Sequence, residues 1–237
     1  MQDPDGDVGH GSSLARRLRA LARRVRAYIG LGANVGDAEA TLVAAVHALA
    51  ALPGARLAGV SRLYETDPVG VTDQPAFRNA VVGLDVAPGT DMPTGATALL
   101  VALKSIERAF GRREGRRWGP RELDLDLLVF GRARLAIERP PDARPLDADT
   151  DPERAARLLE VPHRDAAERL FVLAPMADLE PDLVPPGWAE SVAAARQRRE
   201  AIEGRDAVRV IGEWRESVGR WAPAGQDPRP GEDQRPG

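Results

Sequence analysis

The stretch Arg121-Glu122-Leu123-Asp124-Leu125-Asp126-Leu127-Leu128-Val129 carries the most chemically suggestive spacing in the chain. Side chains of an extended strand alternate between faces. Asp124 and Asp126 therefore share one face, and Leu123, Leu125, Leu127 and Val129 share the other. Two carboxylates side by side repel unless a cation lies between them. Hard oxygen donors of this kind suit Mg²⁺, which keeps several waters and takes one or two carboxylates together with phosphate oxygens. The same alternation also describes a half-exposed strand with a solvated acidic face. The segment just upstream bears on the choice. Gly111 to Arg121 holds five arginines (Arg112, Arg113, Arg116, Arg117, Arg121) and one acid, in a stretch broken by glycine and proline. Arginines beside a metal-binding carboxylate pair can clamp phosphoryl oxygens and stabilise transition-state charge, and Trp118 can stack or close over a site. A basic surface loop, or one that contacts RNA, is the other reading.

Three further segments offer chemistry. Tyr28 to Asp37 has a G-x-G pattern at Gly30 and Gly32, but the next glycine, Gly36, comes one place late for a dinucleotide fingerprint. The glycines are read as a tight exit from a strand, with Asn34 and Asp37 starting a helix. No G-x-x-x-x-G-K-[ST] occurs, so the chain is not a P-loop enzyme. Phe77 and Phe171 stand out in a chain that is 4% aromatic, as stacking faces or as core. Asn79 can offer a donor and acceptors to a heterocycle edge. Val161 to Phe171 gathers His163, Arg164 and Arg169 around a short turn. These cations add to a phosphate site if the turn lies near Asp124.

The elements that must position these residues alternate. Strands are predicted over residues 27–31, 56–64, 79–86 and 123–130. Helices are predicted from Ala38, capped by Asp37, to about Leu52, and from Thr94 to Phe110, where Leu99, Leu103, Ile106 and Phe110 recur. The order β-α-β-β-α-β predicts an α+β, ferredoxin-like antiparallel sheet with helices packed on one face, plus C-terminal additions. Residues 1–26 read as a basic N-terminal tail, 132–157 as a long surface loop, 188–221 as a C-terminal helical extension and 222–237 as a disordered tail.

Composition removes several functions. The 237 residues carry no cysteine, which excludes disulfides, thiolate metal sites and a cysteine nucleophile. Three histidines are too few for a histidine-rich metal cage, and a net charge of −3 excludes a polybasic nucleic-acid binder. Lys104 is the single lysine among 33 basic residues. No apolar run approaches the roughly 20 residues of a membrane span. A cytoplasmic monomer is expected, with no membrane or nucleic-acid partner.

Taken together, residues 28–37, 64–70, 73–79, 117–126 and 162–175 resemble, in order and spacing, the 6-hydroxymethyl-7,8-dihydropterin pyrophosphokinase family of folate biosynthesis. The run Arg117-Trp118-Gly119-Pro120-Arg121-x-Leu123-Asp124-Leu125-Asp126 is close to that family's signature. The resemblance implies transfer of the β,γ-diphosphate of ATP to the pterin hydroxymethyl oxygen, leaving AMP. It implies a catalytic domain over residues 27–187, with 139–157 a loop insertion. It assigns Asp124 and Asp126 to two Mg²⁺ ions, and Arg112, Arg113, Arg121 and Trp118 to the transferred group and loop closure. Glu107, His163, Arg169 and Arg121 would meet ATP. Thr66, Val69, Phe77, Asn79 and Phe171 would meet the pterin, with Phe77 and Phe171 on either side of its ring. Asp67 and Arg164 depart from the family pattern, which ordinarily has proline at the first position and an aromatic residue or proline at the second. A ferredoxin-like RNA-binding module would need exposed aromatics on the sheet, where this chain has carboxylates. A kinase of the same type acting on another alcohol is the second alternative, and a catalytically dead scaffold the third.

Overall fold

The computed structural model describes residues 24–68, 73–111, 120–140 and 151–225. Strand β1 (Val25–Ala33) leads into helix α1 (Ala38–Ala50), whose first turn is capped by Asp37: its Oδ1 accepts from Ala40 N at 3.0 Å. Strands β2 (Arg56–Val60) and β3 (Leu63–Thr66) follow, then the long strand β4 (Phe77–Val86). Helix α2 (Met92–Ala109) is capped by Asp91, which accepts from Thr94 N at 2.8 Å. Strand β5 (Asp124–Phe130) closes a β-α-β-β-β-α-β series, one strand more than the predicted β-α-β-β-α-β. The chain continues through β6 (Leu135–Glu138), α3 (Pro152–Ala156), β7 (Arg157–Val161), α4 (Leu170–Leu179), α5 (Val192–Glu203), β8 (Val208–Arg215) and β9 (Arg220–Pro223).

The main sheet runs β5-β1-β4-β3-β8-β9, and β2 also pairs with β4. The pairs along it are antiparallel. Strand alternation divides its apolar residues between two faces. Ile29, Leu31, Val82, Leu84, Leu125 and Leu127 pack with Leu42, Val46 and Leu49 of α1 and Leu99 and Leu103 of α2, so the two core helices share one face. On the other face Tyr28, Val81 and Leu128 pack with Leu173 and Met176 of α4 and Val192 and Ala195 of α5. The C-terminal additions thus cover the face that the core helices leave open.

Several predicted boundaries move. The single strand read over residues 56–64 is two strands, broken at Ser61, whose N–H donates to Val81 O and whose Oγ accepts from Val81 N, both at 2.9 Å. The stretch read as a loop over residues 132–157 contains β6 and α3, and β6 pairs with β7. Its alternation, Leu135 and Ile137, is only two residues deep and hidden among charges. The extension read as helical over residues 188–221 is helical only in α5; Val208 to Arg215 joins the main sheet, and β9 runs on to Pro223, inside the stretch read as a disordered tail. Strand β1 begins at Val25, inside the stretch read as a tail.

Candidate active site

The register of three strands builds the site. On β5, Asp124 and Asp126 pair with Gly32 and Gly30 of β1. On the other side of β1, the same glycines pair with Asn79 and Val81 of β4. Partners across an antiparallel pair point to the same face. The row Asn79–Gly32–Asp124 therefore crosses three strands with no side chain in its middle. A Cβ added at Gly32 would sit 3.4 Å from Asn79 Oδ1, so that oxygen leans over the glycine floor. The sequence reading took these glycines as a strand exit; they lie inside the strand and keep the floor flat.

Strand β5 is an edge strand, and helix α2 holds it in place. Glu107 continues the stripe Gly95, Ala96, Leu99 and Leu103 that buries α2. It is 2% exposed, and its Oε1 accepts from Leu125 N at 2.7 Å and from Lys104 Nζ at 2.8 Å. Lys104 Nζ also donates to Leu125 O at 3.2 Å. One carboxylate and one ammonium thereby hold both backbone groups of the residue between Asp124 and Asp126. In the structure the Glu107 carboxylate, expected at ATP, is bonded to the β5 backbone and to Lys104, which lines a cleft beside the strand.

Beside Asp126 lies a cleft of about 230 Å³ lined by Leu100, Lys104, Arg139, Arg157, His163 and Arg164 among others. Glu160 and Asp126 are its acids. Cations outnumber carboxylates there, which favours a polyanion. His163 is tied to the sheet by its N–H, which donates to Leu128 O at 2.8 Å, and its Nδ1 accepts from Asp165 N at 3.3 Å. Arg164, the departure at an aromatic or proline position, is one of the cleft's cations. Arg169 donates to Asp165 Oδ2 at 2.6 Å, and its guanidinium lies 5.7 Å from the centre of the Phe171 ring.

Arg121 forms an ion pair with Asp124. Its backbone is fixed by Asn34, a residue read from sequence only as a helix starter. Asn34 is 2% exposed. Its N–H donates to Arg121 O at 3.0 Å and its Oδ1 accepts from Arg121 N at 2.8 Å. Its Nδ2 donates to Gln74 Oε1 at 3.1 Å and to Pro75 O at 3.2 Å. One buried amide thus joins the end of β1, the approach to β4 and the approach to β5. The available signal was a polar residue straight after an apolar G-x-G strand.

At the other end of the row, Asn79 Nδ2 donates to Thr66 Oγ1 at 2.8 Å, and both side chains are buried. Phe77 pairs with Thr66 across β3 and β4, so the two share the face of Asn79. Phe171, at the start of α4, packs with Tyr64, Leu170, Ala174, Val208 and Val210 on that face. The structure therefore gathers Thr66, Phe77, Asn79, Asp124 and Asp126 on one face by strand register, joins Arg121 to it through the Asp124 ion pair, and places Phe171 against the same face. Arg112, Arg113, Trp118 and Val69 lie outside the described residues.

The two aspartates fit a hard divalent cation. Asp124 already holds a guanidinium, so positive charge is in demand at that carboxylate. Among the described residues no cluster of three or more His, Asp or Glu groups forms a cation cage. Two protein carboxylates suit Mg²⁺, whose remaining ligands are waters and phosphate oxygens.

An α+β sheet that presents paired carboxylates on an edge strand, beside a cleft lined with cations, belongs to the class of proteins that handle phosphate groups by charge and positioning. Comparison with known proteins supplies the family. The family model described as 7,8-dihydro-6-hydroxymethylpterin-pyrophosphokinase matches residues 28–181, and the chain belongs to that family. It is similar to the 2-amino-4-hydroxy-6-hydroxymethyldihydropteridine pyrophosphokinase of Methylorubrum extorquens, 42% identical over 179 residues, 75% of this chain and 97% of the relative. The enzyme of the same name from Pseudomonas aeruginosa is 41% identical over 160 residues, 67% of this chain and 82% of its own. In fold it is similar to the wild-type HPPK-DHPS of Plasmodium falciparum solved with pteroate, with a TM-score of 0.62 at 14% identity; the match covers 85% of this chain and 48% of that one. Membership makes the chain a pyrophosphokinase, an ATP-dependent diphosphotransferase of folate biosynthesis.

Proposed function

We propose that the sheet row from Thr66 and Asn79, across Gly32, to Asp124 and Asp126 is the path along which the family's reaction runs in this chain. The substrates are ATP and 6-hydroxymethyl-7,8-dihydropterin. The hydroxymethyl oxygen forms a bond to the β-phosphorus, the bridging bond between the α- and β-phosphates breaks, AMP leaves, and the hydroxyl proton is lost. The observation that carries this reading is the register that sets Asn79 and Asp124 on either side of Gly32.

The buried Thr66–Asn79 pair, with the Asn79 Oδ1 turned to the floor, offers the polar edge for the heterocycle. Phe77 and Phe171 offer its stacking faces. The cleft beside Asp126 takes the nucleotide through Lys104, Arg139, Arg157, His163 and Arg164, with Arg169 beyond it. Glu107, at a family position near the nucleotide, also holds Lys104 and Leu125 in place. Asp124 and Asp126 hold Mg²⁺, in the number of two ions. When bound, the metal neutralises phosphate charge and orients the phosphate oxygens. Arg121 follows the transferred group, held by Asn34 at its backbone. Arg112, Arg113 and Trp118, with Val69 on the pterin side, complete the set by family position. No side chain is assigned as general base, because positioning and charge can serve a primary alcohol. The family's catalytic region is residues 27–187, on a sheet that β8 and β9 extend, in a cytoplasmic monomer.

The deciding assay incubates the protein with ATP, Mg²⁺ and 6-hydroxymethyl-7,8-dihydropterin and separates the nucleotides. AMP formed in proportion to pterin diphosphate supports the reading. ADP as product, or no dependence on the pterin, overturns it.

A further inference from the structure

Strand β8 lies beyond residues 28–181, the span that the family model matches. It pairs with β3 so that Val208 stands opposite Thr66 and Arg209 opposite Glu65. Alternation then gives the two residues separate tasks. Val208 packs on the site face in the cluster that holds Tyr64, Leu170, Ala174 and Phe171. Arg209 turns to the opposite face and meets two carboxylates at once. Its Nη2 donates to Glu65 Oε1 at 2.9 Å and to Asp67 Oδ1 at 2.8 Å. Nε adds a bond to Glu65 Oε1 at 3.2 Å, and Nη1 reaches Asp67 Oδ2 at 3.4 Å. Nη1 also donates to the Asp206 carbonyl at 3.5 Å, which ties the guanidinium back to the start of its own strand. Glu65 is held from its other side by an ion pair with Arg78 of β4.

Glu65 and Asp67 are the neighbours of Thr66, before and after it in the chain. A guanidinium that spans both fixes the backbone on either side of Thr66 and so fixes where its Oγ1 meets Asn79. The Arg209 guanidinium holds both carboxylates below their usual range, Glu65 with help from Arg78. Asp67 is also the residue that stands where the family ordinarily has proline. Proline would stiffen that point by its own ring. This chain has an exposed carboxylate there and supplies the restraint from a distant strand.

We infer that Arg209 is a positioning residue for the heterocycle site: by bridging Glu65 and Asp67 it holds Thr66 in register with Asn79. The inference rests on the proposed pterin reading of the Thr66–Asn79 pair. The Asp67 pair is solvent-exposed and screened, so its effect on binding is a few-fold.

The test measures dissociation constants of 6-hydroxymethyl-7,8-dihydropterin and of a non-hydrolysable ATP analogue, by calorimetry, for wild type, Arg209→Ala, Arg209→Lys, Asp67→Asn and the double variant Arg209→Ala/Asp67→Asn. Arg209→Ala should weaken the pterin by about three- to fivefold, the range an exposed ion-pair network supports, and leave the ATP analogue unchanged. Arg209→Lys, which meets one carboxylate at a time, should recover part of the loss. The double variant should bind no worse than Arg209→Ala, since both lose the same tie. Unchanged pterin affinity in Arg209→Ala, or equal losses for both ligands accompanied by a fall in Tm, would overturn the positioning role. Failure of the wild-type protein to bind the pterin at all would instead remove the pterin reading on which the inference rests.

Discussion

At the scale of single residues, charge balance at Asp124 and Asp126 decides whether phosphate can approach. In the absence of cation these carboxylates repel a triphosphate, and Arg121 offsets only one of them. Replacing either with asparagine keeps the shape and one accepting oxygen and removes the charge. Asp124→Asn and Asp126→Asn should each lower kcat by at least about 100-fold, the scale on which lost electrostatic stabilisation is felt in active sites. Thermal unfolding should barely change, because neither carboxylate belongs to the apolar core. Near-wild-type turnover at saturating Mg²⁺ in either variant would contradict the metal assignment. Phe77 makes a separate prediction. Truncation to alanine removes a ring on the face of Thr66 and Asn79, and a stacking partner is worth about 0.5–1.5 kcal/mol beyond its buried area. Phe77→Ala should therefore weaken pterin binding about tenfold and leave ATP binding nearly intact. Equal losses for the two ligands would mean that the ring only packs.

At the scale of elements, β1 works by what it lacks. Glycine inside a strand costs about 0.5–1 kcal/mol relative to alanine, so a strand with two of them on one face gives up stability for room. A Cβ at Gly32 would reach Asn79 Oδ1 at 3.4 Å, which is ordinary contact, so the fold can accept it. Gly32→Ala should then keep or raise Tm, yet lower pterin affinity about tenfold, because the methyl group stands on the path from Asn79 to Asp124 and overpacking of that kind costs about 1–3 kcal/mol. Unaltered affinity would show that the substrate does not cross this strand. The carboxylate pair on β5 was legible from sequence because alternation is a local rule: Leu123, Leu125 and Leu127 must go to the core, so the aspartates between them cannot. Asn34 was not legible, because its four hydrogen bonds reach residues 74, 75 and 121, and no local pattern encodes them. Glu107 was half legible: its spacing from Leu99 and Leu103 points to burial, but its partner, the Leu125 N–H, is known only once β5 lies against α2. Strands β8 and β9 were missed because their short alternation follows a strongly helical stretch, and β3, which pairs with β8 and so ties the hairpin to the sheet, lies far back in the chain.

At the scale of the whole molecule, the C-terminal hairpin is part of the catalytic sheet rather than an appendage. The cross-strand ion pairs of the sheet set one expectation with pH. Glu65, Asp67 and Asp85 are held below the ordinary carboxylate range, Glu65 and Asp67 first by Arg209 and Asp85 first by Arg26. Groups whose folded pKa is lowered stabilise the fold above their unfolded pKa, and that contribution is lost as pH falls through the folded value. Urea midpoints should therefore hold level from neutral pH to about pH 5 and decline below about pH 4, less steeply in Arg209→Ala. The hairpin's larger contribution is apolar. Trp221 of β9 is 3% exposed and packs edge-on against Trp214, with ring centres 4.8 Å apart. Its indole N–H donates to Ser61 O at 2.8 Å. Ser61 is the joint at which one strand becomes β2 and β3, so Trp221 stands over the break that lets both pair with β4. At the hairpin's turn, the Gly219 carbonyl lies 2.8 Å from His47 Nε2 of α1, which joins the hairpin to the first core helix. Removing the ring leaves a cavity and an unpartnered buried carbonyl. Trp221→Ala should lose about 3–5 kcal/mol, a large share of a domain's usual margin of about 5–15 kcal/mol. Trp221→Phe keeps most of the packing and loses the hydrogen bond, so its cost should be nearer the 1–3 kcal/mol of an orphaned buried acceptor. Chemical denaturation of the two variants beside wild type measures both numbers. A Trp221→Ala protein as stable as wild type would mean that the hairpin merely rests on the sheet, and Arg209 could then not rely on it to hold Thr66.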